Sequence, residues 1–147
     1  MMLDKQNTLS DMQTIAAVAS TIVSTNAIDL GAAATDTVGN SVLSDAGRSR
    51  AELLVQVTET VASAGAATVQ AQIITSASAN LGTPTVVGSS EVIALATLVA
   101  GYQFRVGLNP GVLQRYLGCQ YIIGTATTTA GKVTAGIVDA KQTTFIG

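Results

Sequence analysis

Side chains that could do chemistry are few in this sequence. There is one cysteine, Cys119, and no histidine, which removes a Ser-His-Asp triad, a Cys-His pair and every histidine-ligated metal site. Paired carboxylates could still hydrolyse a glycosidic bond, but none of the acids stands in a recognisable acid/base pairing. The nine acids are Asp4, Asp11, Asp29, Asp36, Asp45, Glu52, Glu59, Glu91 and Asp139. Because a catalytic site needs convergent titratable groups, we predict a protein that is not an enzyme and has no cofactor.

One stretch leaves a metal alternative open. The segment DTVGNSVLSDAG carries Asp36, Asn40 and Asp45, whose oxygens are the kind of ligand that calcium prefers. It lacks the spacing of an EF-hand loop and its terminal glutamate, so we predict no metal site. The pieces GSS and GTATTTAG match no phosphate loop, because no Gly-Lys-Ser/Thr is present. Cys119 lies on the apolar side of its segment and is predicted to be a buried structural residue.

The charge of the chain argues against two classes of partner. The formal net charge is -2, whereas nucleic acids and anionic membranes are bound by clustered Lys and Arg. The seven basic residues are scattered along the chain: Lys5, Arg48, Arg50, Arg105, Arg115, Lys132 and Lys141. The most apolar window, EVIALATLVAG, is too short to span a bilayer. We therefore predict that neither nucleic acid nor membrane is a partner.

Alternating apolar residues indicate the fold class. In AELLVQVTE, for example, Leu53, Val55 and Val57 share one face, as in a half-buried β-strand. The predicted strands cover 14–23 (alternatively a short helix), 26–31, 51–59, 67–75, 85–87, the start of 91–101, 102–108, 117–123 and 132–138, with a helical turn ending at Gly101. The pairs 51–59/67–75 and 117–123/132–138 are predicted hairpins. About eight strands with tight and long connections predict an all-β protein, an antiparallel β-sandwich of the jelly-roll type.

The domain organisation follows from composition. Residues 1–13 are polar with single apolar anchors and predict an N-terminal arm, while 14–147 are predicted to form the jelly-roll domain. Only 11% of the residues are charged, so the surface is either rich in Thr, Ser, Gln and Asn or partly covered by a partner.

Candidate contact residues follow from the same patterns. Arg115 and Tyr116 are candidates because Arg and Tyr are enriched at interface cores, although they could equally be an ordinary surface Arg and a Tyr of the sandwich. Phe145 and Ile146 are candidates because they are apolar residues in a polar setting. The predicted interface residues are Leu3, Leu9, Met12, Arg115, Tyr116, Phe145 and Ile146.

Four pieces of the sequence, taken in order, resemble a known family. They are LSDMQ (9–13), STNAIDLG (24–31), LVAGYQFRVGLNPGVLQRYLGCQYIIG (98–124) and GKVTAGIV (131–138). They are similar to the cement, or head decoration, proteins of short-tailed bacteriophages of the Bordetella phage type. The sequence departs from that pattern at Gly118 and in a longer loop around 34–50.

The resemblance implies a jelly roll on the outer surface of an icosahedral phage capsid. It would bind the major capsid protein and itself, as a dimer or trimer, and clamp neighbouring capsid subunits after synthesis in the host cytoplasm. The alternative function is a carbohydrate-binding or receptor-binding jelly-roll module of a phage particle, which the low aromatic content of 3% disfavours.

Overall fold

Antiparallel strands make up more than half of the described part of the chain. A computed structural model describes residues 4–31, 51–109 and 113–139. The strands are β1 (Thr8–Thr14), β2 (Thr21–Val23), β3 (Ile28–Asp29), β4 (Ala51–Ser63), β5 (Thr68–Ser76), β6 (Thr85–Ser89), β7 (Ile93–Ala94), β8 (Gln103–Gly107), β9 (Tyr116–Gly124) and β10 (Thr128–Asp139). A 3₁₀ turn, Leu95–Thr97, follows β7. The strand and helical turn predicted before Gly101 are confirmed, and Gly101 has a φ of 92°, which glycine adopts readily.

Two antiparallel sheets form the sandwich. The first has the order β1-β10-β4-β8 and the second the order β2-β9-β5-β6, with β3 also pairing with β9 and β7 with β5. Because β2 and β3 continue along the same neighbour, they act as one interrupted strand, and so do β6 and β7. The ten strands then reduce to eight, with the orders 1-8-3-6 and 2-7-4-5. This is the jelly roll that the sequence predicts.

Both predicted hairpins are wrong. Strands β4 and β5 lie in different sheets, and so do β9 and β10. Each pair is joined by a short connection, 64–67 or 125–127, that crosses from one sheet to the other. Alternation shows which face of a strand is buried, but it does not identify the neighbouring strand.

The predicted strand 14–23 is interrupted for a similar reason. Strand β1 ends at Thr14 and β2 begins at Thr21 in the other sheet. Between them the Thr128 hydroxyl, which is buried, donates to the Ile15 carbonyl at 2.6 Å and accepts from the Ala17 N–H at 3.0 Å. The crossing segment therefore obtains hydrogen bonds from β10 without forming a regular strand.

The predicted arm needs correction within residues 8–13. These residues form most of β1, which pairs with β10, and the boundary predicted at 13/14 falls inside that strand. Leu9 is 0% exposed and belongs to the core. A polar edge strand needs only one buried anchor on its inner side, so composition alone made it look like an arm.

The core lies between the sheets, as the alternation predicts. Leu53, Val55 and Val57 from β4 face Ile73 and Tyr121 of the second sheet's strands, and all five side chains are fully buried. Cys119 is buried with them, as predicted.

Candidate functional site

Three ion pairs join described charged residues that are far apart in the sequence. Their nitrogen–oxygen distances are 3.3 Å for Arg105–Glu52, 2.9 Å for Arg115–Asp29 and 2.8 Å for Lys132–Glu59. Within 4–31, 51–109 and 113–139, no group of three or more Cys, Asp or Glu residues is placed to hold a metal ion. No helix in this described part is long and apolar enough to cross a membrane.

Arg115 and its neighbour Tyr116 lie at the ion pair in which arginine and carboxylate share two hydrogen bonds. Arg115 donates from Nε to Asp29 Oδ1 at 3.0 Å and from Nη2 to Oδ2 at 2.9 Å. The Gly31 N–H also donates to Asp29, at 2.8 Å. These bonds, first that of Arg115, hold the pKa of the Asp29 carboxyl below its ordinary value. The Arg115 guanidinium carbon lies 5.2 Å from the centre of the Tyr116 ring.

This arrangement fixes the direction of the Arg115 side chain. The structure thus brings the predicted pair together and adds Asp29, a neighbour that sequence spacing cannot identify. The bidentate bond holds the guanidinium in one orientation and uses two of its donors. The role of Arg115 and Tyr116 in an interface stays a prediction.

The other predicted contact residues fall into three groups. Leu9 is buried, so the sequence prediction that it contacts a partner is wrong. Met12 is 58% exposed at a bulge of β1, with a φ of 44°, and its N–H donates to Thr134 Oγ1 at 3.1 Å. A bulge re-aims a side chain out of the sheet, so Met12 remains available for a contact. Leu3, Phe145 and Ile146 lie outside the described residues.

One end of the sandwich has a surface that sequence reasoning missed. The connections 15–20, 64–67, 95–102 and 125–127 all lie there, because Thr14, Ser63, Thr68 and Gly124 end or begin strands at that side. These connections, IAAVAS, AGAA, LATLVAGY and TAT, contain no Asp, Glu, Lys or Arg. We call them the apolar end. Val18 is 69% exposed and Val99 is 49% exposed within it.

A depression lies at this apolar end. It has a volume of about 430 Å³, and apolar atoms dominate its lining. The lining residues are Ala66, Ala67, Thr68, Ala94, Leu95 and Ala96. Small side chains keep the depression open, so it can accept a bulky apolar side chain from another molecule.

A chain of hydrogen bonds that runs from the core to the surface joins the two sheets at the β1–β2 side. The Tyr121 hydroxyl of β9 donates to Ser10 Oγ at 2.9 Å, and Ser10 donates to Gln13 Oε1 at 2.7 Å. Gln13 Nε2 in turn donates to the Val23 carbonyl at 2.7 Å. The Cys119 thiol donates to the Tyr121 oxygen at 3.3 Å. Burial raises the pKa of the Cys119 thiol, so the group is a structural donor rather than a thiolate nucleophile.

This burial predicts a loss of stability in alkali. Folded Cys119 keeps its proton to higher pH than the unfolded chain, so unfolding releases a proton above about pH 8.5. The free energy of unfolding should therefore fall as the pH rises past that value, by at most about 1.4 kcal/mol per pH unit for one proton. Urea titrations between neutral pH and pH 11 would measure the decline.

The control for this prediction is Cys119→Ala. Burial also raises the pKa of Tyr121, well above its ordinary value, so the variant should begin to lose stability only near pH 10. An unchanged onset in Cys119→Ala would show that another group causes the alkaline loss.

The fold and this surface define the class of the protein: an all-β jelly roll with an exposed, uncharged end and a buried, structural cysteine. Residues 9–137 match the Bbp16 family, and the chain belongs to that family. The family name points to a bacteriophage protein, and the all-β fold fits a structural protein of the particle. No curated protein matches the chain.

Proposed function

We propose that this protein decorates the outside of an icosahedral phage capsid and cements neighbouring major capsid subunits, without catalysis. Its membership of the Bbp16 family and its jelly-roll fold support a role in the particle. The observation that carries the proposal is the set of large apolar side chains left in solvent. These are Met12, Val18, Val23, Val86, Val92 and Val99. With only 11% charged residues in the chain, these side chains support the proposal as candidate contact points for other proteins.

Cementing needs little affinity at each contact. A capsid offers many equivalent sites, and a dimer or trimer that bridges two of them binds with avidity, because its second contact is intramolecular. A rigid sandwich suits this role because it loses little conformational freedom when it docks. A carbohydrate-binding module would instead be expected to offer aromatic stacking surfaces, and aromatic residues make up only 3% of this chain.

Co-sedimentation with capsid shells assembled without the protein tests this function. We expect saturable pelleting at a fixed ratio of copies to capsid subunits. The pelleted fraction should change little between about 0.1 M and about 1 M salt, over which the Debye length falls from about 10 Å to about 3 Å. Apolar contacts are not screened by salt, whereas ion pairs at the rim are.

Shells already saturated with the protein are the control, and they should take up no more of it. Protein that stays in the supernatant with empty shells would contradict the proposal. Binding that disappears at high salt would show that charge, rather than apolar burial, holds the protein in place.

A further inference from the structure

We propose that residues 77–84 form a strap on the outer face of the second sheet, that Leu81 latches it, and that it opens while the sandwich stays folded. The strap connects β5 to β6, and Ser76 and Thr85 are the strand residues at its two ends. The inference goes beyond the proposed function and does not depend on it. Three observations carry it: a buried patch outside the core, a glycine notch that holds one leucine, and a strained backbone.

Apolar surface lies outside the core, on the outer face of the second sheet. Ile73 belongs to the core between the sheets, and successive side chains of a strand point to opposite faces. Ile74 therefore points outward, yet it is 0% exposed. Its partners in the sheet are Gly118 of β9 on one side and Val86 of β6 on the other. A side chain on the outer face can be fully buried only if another segment lies over it.

Leu81 is the part of the strap that lies on this surface. Of the eight residues 77–84, it alone is buried, with 4% of its surface exposed. A Cβ atom on Gly118 would overlap Leu81 Cδ1 and would lie 3.0 Å from Cδ2, so the leucine occupies the space that this atom would need. Because cross-strand neighbours lie about 4.5–5.5 Å apart, Leu81 also lies beside Ile74. Gly118 thus forms a notch, and Leu81 is the latch that fits it.

Short-range hydrogen bonds shape the strap. The Leu81 N–H donates to the Ser78 carbonyl at 3.0 Å, and the Gly82 N–H donates to Asn80 Oδ1 at 3.0 Å. At the base of the strap, the Ser76 hydroxyl donates to the Gly82 carbonyl at 2.6 Å and accepts from the Ser78 N–H at 3.1 Å. These four bonds join residues at most six positions apart, so they give the strap its shape without attaching it to β9.

The closed strap carries backbone strain. Leu81 has a φ of 56° and Thr83 has a φ of 46°, in the left-handed region that residues other than glycine seldom adopt. Such conformations persist only where surrounding contacts offset their cost. The seating of Leu81 beside Gly118 is such a contact, and opening the strap releases the strain. Local opening needs much less free energy than unfolding of the whole chain, because the paired strands on both sides stay intact.

Hydrogen exchange at neutral pH, followed for single amides by NMR, tests this opening. In the native protein we expect the Leu81 and Gly82 amides to exchange at least about tenfold more slowly than in a free peptide. They should also exchange at least about a hundredfold faster than the Val57 amide of the core. The Val57 N–H donates to the Tyr102 carbonyl at 2.9 Å, so its exchange reports opening of the sandwich itself.

Two substitutions release the latch from opposite sides. Leu81→Ala removes the side chain, and Gly118→Ala fills the notch, from which the flexible end of Leu81 can move away. Each should bring exchange at Gly82 to within about threefold of a free peptide, while Val57 stays at least about a hundredfold slower. Gly107→Ala, in the other sheet, is the matched control, because a Cβ atom there would meet nothing within 4 Å. It should leave exchange at Gly82 as in the native protein.

Urea titration tests whether the leucine and the glycine act on one contact. Gly118→Ala should lower the unfolding midpoint of the native protein but not that of Leu81→Ala, because in that variant the notch is already empty. A lower midpoint in the combined variant than in Leu81→Ala would overturn the assignment of the notch.

The exchange experiment can overturn the other two parts of the inference. Protection of Gly82 that survives in Leu81→Ala would show that another contact holds the strap, and the latch would be wrong. Equal exchange rates at Gly82 and Val57 in the native protein would show that the strap opens only when the whole sandwich unfolds. None of these measurements uses capsid shells, so a failure of the proposed function in co-sedimentation would leave the inference standing.

Discussion

Replacing Tyr121 with alanine is expected to lower the free energy of unfolding by about 3–5 kcal/mol, the usual range for removing a buried aromatic side chain. Tyr121 is 0% exposed and heads the largest fully buried side chains. Its ring fills the space between the sheets, and its neighbours are rigid strands that cannot collapse into the cavity. The substitution also leaves the Ser10 hydroxyl without its hydrogen-bond donor.

Tyr121→Phe separates these two contributions. It keeps the ring and removes only the hydroxyl, so it should cost about 1–2 kcal/mol, from the loss of the bond to Ser10 and of an acceptor for Cys119. Urea titrations of both variants at neutral pH, read by circular dichroism, would give the two values. Equal losses in Tyr121→Phe and Tyr121→Ala would mean that the polar chain, and not packing, determines the contribution of this residue.

The sequence predicted the positions of the strands more accurately than it predicted which strands pair with each other. Alternation in 51–59 and 67–75 located the buried faces, because each strand packs one face on a common core. It could not show that β4 pairs with β10 and β8, since residues far apart in the chain satisfy the same pattern. In a jelly roll nearly every connection crosses between sheets, so the short connections at 64–67 and 125–127 look like hairpin turns but are not.

The candidate site could be predicted only in its parts. Each of the four connections of the apolar end reads as an unremarkable small-residue loop, and only the topology brings them to one end of the sandwich. Arg115 and Tyr116 were identifiable because they are adjacent in the chain, whereas Asp29 lies 86 residues away. The prediction that Leu9 contacts a partner was wrong because the sequence pattern of one apolar residue in a polar segment is the same for a paired strand and for a free arm.

Replacing Gly88 with alanine is expected to lower the free energy of unfolding by about 3 kcal/mol, at the upper end of ordinary overpacking. A Cβ atom on Gly88 of β6 would overlap the Gly107 carbonyl oxygen of β8, and it would lie 3.4 Å from both the Ile73 and Val106 side chains. Backbone cannot rotate away as a flexible side chain can. The two sheets meet at this seam, where the Asn109 N–H also donates to the Val87 carbonyl at 3.0 Å. For a chain of this size, the melting temperature should fall by about 6–12 °C.

Gly107→Ala is the matched control, because it changes the other member of the same close approach. A Cβ atom on Gly107 would meet nothing within 4 Å, and Gly107 is not among the residues with positive φ. The substitution should therefore be neutral or slightly stabilising, through the lower entropy of the unfolded chain. Calorimetry of both variants would show whether the effect depends on space. A similar loss in Gly107→Ala would mean that the seam requires glycine for its backbone conformation. The asymmetry expected instead would establish that the sheets close at β6 and β8 by direct backbone contact, which keeps the sandwich rigid.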